Sequence, residues 1–540
     1  MAMRPRTRAT LATAAALLGA LWTAPVFGQT LAVDTVTIHV DAANPAADDA
    51  NAGTAERPVA TVAESARRAL ANRRLGRSSH VVIHPGIYRE SVDLTEATTP
   101  PDAPPILFEG AVPGLVVLSG SDPWSDWIPA GTNLYRHPFP GARGPAELPE
   151  GWDDVRSEVE DHPVLLRGEA VFVGGELYRQ VMSSAELGAA PRRFFVDERR
   201  GIDQAQLWIH MPTGIEPTGA QVEVSLRSPV VSLTNVAAIT LRHLVVRHAA
   251  SRLQDAALRI DGCADVTLER VAVEWNSWNG IAIMNSRDVR LRDVTANRNG
   301  AGGLSGWKVA NLTMDAVEAS YNNWRGAWGG FLGWATGQKF FHLHGARLVG
   351  YRAVGNATTG LWFDTDATDV IVERSFIADN ATRGVFIEAV QGPIVIRDTT
   401  ITGNGEIGIF ATGASQVTLD RNVIVDNGEH QVLLPWQADQ HVVTTVTDSR
   451  TGQDLDVRST GWTVTNNIIG SAGAARLFSV GMWPHFFDTF RASGNRWYRG
   501  DGEEGFGVYA RMHAPVRPLT LAAWQQLSHQ DGGSTFADRR

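Results

Sequence analysis

Two acidic segments of the chain correspond to each other through their glycines. Residues 360–366 read Gly-Leu-Trp-Phe-Asp-Thr-Asp, and residues 384–390 read Gly-Val-Phe-Ile-Glu-Ala-Val. Aligning the glycines places Asp364 opposite Glu388. Because alternate side chains of a strand share a face, both acids are predicted to point outward, and Asp366 is predicted to follow them on the same face.

The predicted separation of the two carboxyl groups suits a retaining glycosidase. Neighbouring strands would hold Asp364 and Glu388 roughly 5–6 Å apart, so that one acid can attack an anomeric carbon while the other protonates the leaving oxygen. Asp366 lies opposite Val390 and is predicted to be an auxiliary acid that holds a hydroxyl or an ion. No cofactor is required, although a calcium ion bound by the three acids is an alternative interpretation.

Aromatic residues cluster in the segments just before and at these acids. An indole packs well on the C–H face of a sugar, and a narrow solenoid interior favours aliphatic residues. Several of the tryptophans are therefore predicted to line a sugar-binding groove, and we assign this role to Trp307, Trp328, Trp334 and Trp362.

The cationic residues nearest the acids in sequence lie in the same region. Arg325, Lys339, His342 and His344 could contact sugar hydroxyls or a carboxylate. A zinc site is not predicted, because the two histidines have no evident third ligand. Lys339 or Arg325 could instead be the base of a β-elimination, which makes a polysaccharide lyase the main alternative to a hydrolase. A non-catalytic carbohydrate-binding protein is the third hypothesis.

The elements that would position these residues are predicted by an internal repeat between about residues 231 and 428. Asparagines recur with a period near 24, each before a short β-branched run; they are Asn276, Asn297, Asn322, Asn356, Asn380, Asn404 and Asn427. A repeat this short, with no helical period, can bury its apolar face only by stacking on its neighbours. The sequence therefore predicts an all-β fold, a right-handed parallel β-helix, with the asparagines at its turns.

The remaining segments complete the predicted domain organisation. Residues 29–120 would form an N-terminal cap and the first coils, with a helix at Val62–Leu70. Residues 121–224 lack the repeat and predict an inserted β-sandwich. The main β-helix with the groove would span 225–500, and 501–540 would cap its C-terminal end with a short helix near Leu519–Leu527.

Two stretches resemble known families. Pro85-Gly-Ile-Tyr88 is similar to a turn of the pectate-lyase-like β-helix superfamily. The stretch 360–364 and the pattern Phe-Ile-Glu-x-x-x-Gly-Pro at 386–393 resemble the β-helical glycoside hydrolases that include β-xylosidases, and a neighbouring family with fucosidase and xylanase members. That resemblance implies that Asp364 is the nucleophile and Glu388 the acid/base, and it also implies a β-sandwich that interrupts the β-helix.

The N-terminus and the overall charge limit the partners. Three arginines within the first eight residues precede an apolar run, Leu11–Trp22, so residues 1–28 are predicted to be a signal peptide that exports the protein to the periplasm or the extracellular space. The run is too short for a membrane span, and no later stretch qualifies. A net charge of -10 argues against nucleic acid. A polysaccharide or oligosaccharide is the expected partner, and the oligomeric state is left open.

Overall fold

The computed structural model describes residues 34–98, 102–148, 150, 156–217, 221–327, 337–435, 444–481, 486–509 and 515–537. Most of these residues wind into successive coils, and each full coil runs through three stacks of parallel strands or bridges. We call these stacks the first, second and third face, in the order in which a coil passes through them. The predicted signal peptide, residues 1–28, lies outside the described residues.

The strands of each face lie side by side along the axis. The first face contains Val92–Thr95, Val231–Thr234, Ala256–Asp261, the leading parts of Asn279–Arg292, Leu304–Asp315 and Lys339–Val349, then Leu361–Asp364, Arg383–Val390, Ile407–Ala414, His430–Leu434, Arg476–Gly481, Phe506–Tyr509 and the antiparallel Arg517–Leu519. The second face contains Thr35–Val40, Ser78–Ile83, Ile106–Gly110, Ala237–Arg242, Ala264–Glu269, the trailing parts of the three long strands, Thr368–Glu373, Ile394–Arg397, Val417–Asp420, Thr463–Thr465 and Arg491–Ser493. The third face contains Gly86–Tyr88, Val116–Ser119, Val245–Arg247, Ala272–Glu274, Arg352–Val354, Phe376–Ala378, Thr400–Thr402, Val423–Val425, Ile468–Ser471, Arg496–Arg499 and Thr535–Phe536.

A ladder of buried asparagines stabilises the corner between the third and first faces. Each side-chain amide donates to the amide oxygen of the next member along Asn276, Asn299, Asn322, Asn356, Asn380, Asn404 and Asn427. The sequence-based prediction included Asn297 where the ladder contains Asn299, and this is corrected. Asn297 accepts instead from the Ser320 N–H. The ladder provides hydrogen bonds for backbone groups that the turn would otherwise bury unpaired.

The inserted segment has its own core. Its eight strands are Ser121–Pro123, Ile128–Gly131, Leu134–Pro138, Val171–Val173, Glu176–Gln180, Arg193–Asp197, Gln206–His210 and Val222–Ser225. Pairing is continuous through Glu176–Gln180, which bonds to both halves. The two halves pack on one cluster that includes Trp124 and Phe194. The predicted sandwich is therefore a single sheet folded over its own core. The insert also contains the helices Arg156–Asp161 and Ser184–Ala189 and the short 3-10 turns Pro163–Leu166 and Ile202–Gln204.

Helices and a hairpin close the remaining surfaces. The helix Val62–Arg74 packs at the N-terminal end, and the helices Phe486–Thr489 and Leu521–Ser528 lie at the other end, where Trp524 is buried. The first face continues to Phe506–Tyr509, so the β-helix extends beyond the predicted boundary at 500. A two-stranded hairpin, Thr444–Thr447 and Asp454–Val457, packs against Ala389. Within the described ranges, no helix is long and apolar enough to cross a membrane.

Candidate active site

The two acids lie on neighbouring coils of the first face. The strand Leu361–Asp364 pairs in parallel with Arg383–Val390, and this register sets Asp364 beside Glu388. The next strand, Ile407–Ala414, continues the same stack. The predicted stacking of these three strands is confirmed. Leu361, Phe363, Val385 and Ile387 fill the interior between them, so alternation directs the acids outward.

Both oxygens of Asp364 accept from neighbouring donors. The ammonium of Lys339, one coil earlier, lies 2.6 Å from Oδ2, and the Thr365 hydroxyl donates to Oδ1 at 2.8 Å. The side chain of Asp364 is almost fully enclosed. The carboxylate that would act as nucleophile is therefore bound directly by an ammonium and a hydroxyl.

Glu388 has the opposite electrostatic environment. Burial and the neighbouring charge of Asp364 raise its pKa to about 7, against smaller opposing effects of Lys339, Arg383 and the Trp362 side chain. Burial lowers the pKa of Lys339 to about 8, although Asp364 opposes this shift. At neutral pH the site therefore combines a paired carboxylate with a carboxyl group that still holds its proton in a large fraction of molecules.

Aromatic rings surround the acids. Trp362 stacks on Phe386 with centroids 4.6 Å apart, and the Lys339 ammonium lies 4.2 Å from the Trp362 ring. Trp362 is thereby 4% exposed, so it forms the wall beneath Lys339 rather than an open platform. Trp307 is 41% exposed and stacks on Phe341 at 4.6 Å. Trp328 and Trp334, the other two predicted platforms, lie outside the described residues.

A groove adjoins the acids on the side of the earlier coils. Its volume is about 560 Å³, and Lys339 lines it together with Asn279, Met284, Ser305, Trp307 and Phe341. In the register, Phe341 lies beside Asp364, so the Trp307–Phe341 pair leads directly to the acids. This combination of one open aromatic pair, several polar groups and a cation fits a polar ligand such as a sugar chain.

The structure does not leave Asp366 open to the groove, where it was predicted to hold a hydroxyl or an ion. The side chain is fully buried. It accepts from His342 at 3.1 Å, from the backbone and hydroxyl of Ser449 at 2.8 and 2.6 Å, and from Gln391 at 2.9 Å. Burial alone would raise its pKa, but hydrogen bonds from His342, His344 and Ser449 hold the pKa far below its usual range.

The contacts of Asp366 also explain His342 and His344. His344 lies 3.1 Å from Asp366 and 2.9 Å from the Ser449 hydroxyl. The His342 ring packs edge-on against Trp307 and Phe341 at 5.2 and 4.3 Å. We therefore assign His342 to support of the aromatic pair and His344 to support of Asp366. Across the described ranges, no three His, Cys, Asp or Glu side chains are placed to hold a metal ion.

Arg325 lies at the junction with the insert and does not join the acids. Its guanidinium donates to the carbonyls of Ser277 and Glu169 at 2.7 and 2.6 Å and to the Gln180 side chain at 3.0 Å. Burial lowers its pKa to about 10. The predicted contact with substrate is corrected, because these acceptors already bind the guanidinium.

Two residues near the site were missed by the sequence analysis. Arg383 begins the strand that carries Glu388, and its guanidinium lies over the rings of Phe386 and Phe410. The sequence feature that could have identified Arg383 is a cationic residue immediately before Gly384 in the aligned segment. Ser449 binds Asp366 from 83 residues away, and no local pattern indicates such a contact.

Residues 256–424 match a family model described as a right handed beta helix region. The solved structure of XylC in complex with xylose superposes with a TM-score of 0.70 at 14% identity, covering 89% of this chain and 85% of that chain. The fold is a right-handed parallel β-helix. At this identity the likeness of the two β-helices shows the fold alone.

Two further solved structures resemble the β-helix less closely. A glycoside hydrolase has a TM-score of 0.46 at 12% identity over 87% of this chain and 97% of that chain. The A-module of Azotobacter vinelandii mannuronan C-5 epimerase AlgE4 has a TM-score of 0.42 at 15% identity over 89% and 96%. No curated protein was found to be similar in sequence.

Proposed function

We propose that this protein is a retaining glycoside hydrolase with Asp364 as nucleophile and Glu388 as acid/base. The observation that carries the proposal is the pairing of an enclosed, Lys339-bound carboxylate with a neighbouring carboxyl whose pKa is raised to about 7. Neighbouring parallel strands lie about 4.8 Å apart, and this spacing is compatible with the short carboxyl separation of a retaining glycosidase. The shared fold of XylC, a structure with bound xylose, supports a carbohydrate ligand.

The first step would transfer the glycosyl group to the enzyme. An oxygen of Asp364 attacks the anomeric carbon, the glycosidic C–O bond breaks, and Glu388 gives its proton to the leaving oxygen. Loss of that proton leaves Glu388 ionised beside an Asp364 that is now an uncharged ester. The like-charge repulsion that raised the pKa of Glu388 is then removed, so the residue becomes a base.

The second step would release the sugar. Glu388 takes a proton from a water molecule, whose oxygen attacks the anomeric carbon and breaks the ester bond to Asp364. Two inversions at the same carbon give net retention. Lys339 stabilises the Asp364 carboxylate before attack and after release, since its ammonium remains within hydrogen-bond distance.

The groove residues would hold the rest of the substrate. The open Trp307–Phe341 pair would pack against a sugar ring, with Lys339 at the junction between this platform and the acids. Trp328 and Trp334 remain predicted contacts. We also propose that residues 1–28 export the protein, because the oligosaccharide or polysaccharide that we expect as substrate lies outside the cytoplasm.

A polysaccharide lyase is the alternative that one observation favours. Lys339 has a pKa lowered to about 8, which suits a proton-abstracting base. The ammonium is, however, paired with Asp364 at 2.6 Å, and this partner stabilises the protonated form that cannot accept a proton. The pairing therefore favours the hydrolase.

The two mechanisms leave different products. Purified protein would be incubated with a panel of aryl glycosides and with uronate polymers, and both reducing ends and ultraviolet absorbance would be followed. Hydrolysis gives saturated ends, and it should be lost in both Asp364→Asn and Glu388→Gln with natural leaving groups. Unsaturated products that are lost in Lys339→Ala but persist in Asp364→Asn would establish the lyase instead.

A further inference from the structure

Arg383 is held rigidly beside the proposed catalytic pair. It is the first residue of the strand Arg383–Val390, which also carries Glu388. Its guanidinium carbon lies 4.7 Å from the centroid of the Phe386 ring and 4.4 Å from that of Phe410. Two ring contacts fix the plane of the guanidinium and prepare it for a planar partner.

This guanidinium has no carboxylate partner within the described part of the chain. Its Nε is buried without a hydrogen bond, and the acids that act on it, Glu406 and Glu388, do so only through longer-range charge. By contrast, Arg397 on the second face binds Glu373 through two nitrogens. A half-buried guanidinium with an unused donor is costly, so its position indicates a partner that the protein itself does not supply.

A second unsatisfied polar group lies on the same face. Thr412 is paired with Glu388 in the register and is 9% exposed, and its buried hydroxyl has no hydrogen-bond partner among the described residues. Thr412 lies one coil to the C-terminal side of Glu388, and the Arg383 guanidinium extends over Phe410 of that same coil. The Trp307 groove lies on the N-terminal side of the acids.

We infer that Arg383 and Thr412 form a subsite for a carboxylate carried by the substrate, and hence that the sugar beside the scissile bond is an acidic one. The inference rests on the proposed function, because it takes the scissile bond to lie at Asp364 and Glu388. A guanidinium binds a carboxylate through two parallel hydrogen bonds and compensates its charge. A neutral hydroxyl would bind the guanidinium but would not give its charge a direct partner. Lys339 cannot take this role, since it already pairs with Asp364.

The subsite is tested by binding, which needs no turnover. Dissociation constants for D-glucuronate, D-galacturonate and D-mannuronate would be compared with those of the parent hexoses by ligand-observed NMR. At least one uronate should bind about tenfold or more tightly than its hexose, and Arg383→Gln should abolish this preference. Arg352→Gln is the matched control, because Arg352 also lies over a phenylalanine ring but on the third face; it should retain the preference.

Every outcome of this comparison bears on the subsite. Equal binding of each uronate and its hexose, or a preference that survives in Arg383→Gln, would overturn it. If Arg383→Gln does not fold, Thr412→Val is the second test, and it should weaken uronate binding several-fold while leaving hexose binding unchanged. A uronate affinity that stays unchanged in Thr412→Val would also contradict the subsite. A uronate preference together with unsaturated products would support the subsite and reject the hydrolase. Saturated products without a uronate preference would support the hydrolase and reject the subsite.

Discussion

Asp364 and Glu388 are chemically similar residues with different surroundings. Asp364 has a cation and a hydroxyl on its two oxygens, whereas Glu388 has aromatic neighbours and the charge of Asp364 beside it. The surroundings of Glu388 favour its neutral form, as a proton donor requires, and those of Asp364 give it the ion-pair contact of a nucleophilic carboxylate. The aligned glycines were enough to predict the pairing of the acids, but not Lys339 as the partner of Asp364.

The raised pKa of Glu388 gives a pH dependence of definite sign. The active form has Asp364 ionised and Glu388 protonated, so kcat/KM should fall as pH rises through about 7. With an aryl glycoside whose leaving group needs no protonation, Glu388→Ala should lose this decline while keeping measurable activity. A pH–rate series for both proteins measures it. For a glycoside whose leaving group does need protonation, a wild-type kcat/KM that stays level through pH 7 and 8 would be incompatible with Glu388 as the proton donor.

At the scale of the element, the turn after Asp364 sets the position of the Asp366 side chain, which strand alternation could not predict. The prediction for Asp366 assumed that the strand continued, but the strand ends at Asp364, and Thr365 and Asp366 have φ of 29° and 62°. This left-handed turn carries the Asp366 side chain to His342 and Ser449. The contacts of Arg325 were also not predictable from the local sequence, because its acceptors Glu169 and Gln180 lie in an insert about 150 residues earlier.

The buried contacts of Asp366 predict a stability effect. Asp366→Asn should lower the free energy of unfolding by about 2–4 kcal/mol, because His342, His344 and the Ser449 hydroxyl lose a charged acceptor. The pKa of Asp366 is held low in the folded state, so this loss should be full near neutral pH and shrink in strong acid.

Asp369→Asn is the control for this substitution, since Asp369 is exposed and has a similar φ of 57°. It should change the stability by no more than about 0.5 kcal/mol. Denaturant unfolding of the three proteins measures the difference. Equal stability of wild type and Asp366→Asn would mean that the buried contacts of Asp366 with His342 and Ser449 do not stabilise the fold.

At the scale of the whole molecule, the coils derive their stability from stacking on one another. The repeat predicted this architecture because each short unit has an apolar face to bury, and the structure shows one continuous core from Ile38 to Trp524. The asparagine ladder was predicted with one wrong member, since Asn297 and Asn299 both precede Gly300 in similar local sequence. The folded-over pairing of the insert depends on contacts distant in sequence and was not predictable from local pattern.

The C-terminal helix covers the last strands of the solenoid, and we expect this cover to prevent end-to-end association. Trp524 is 1% exposed and stacks on Phe506 with centroids 5.4 Å apart. Trp524→Ala should cost about 3–5 kcal/mol and uncover the last strands, which favours aggregation. Thermal unfolding with light scattering measures both effects. Gln526→Ala, on the exposed side of the same helix, should match wild type; equal behaviour of the two variants would mean that the helix does not protect the end.

The most direct measurement of the central claim is chemical rescue of Asp364→Ala by azide. The substrate would be the aryl glycoside that the wild-type protein hydrolyses best, and the product would be identified by NMR. Removing the nucleophile opens a space beside the anomeric carbon, so azide should restore activity and give a glycosyl azide whose anomeric configuration is opposite to that of the substrate. Rescue of Asp366→Ala instead, or a restored activity that gives a retained glycosyl azide, would contradict the assignment of Asp364 as the nucleophile.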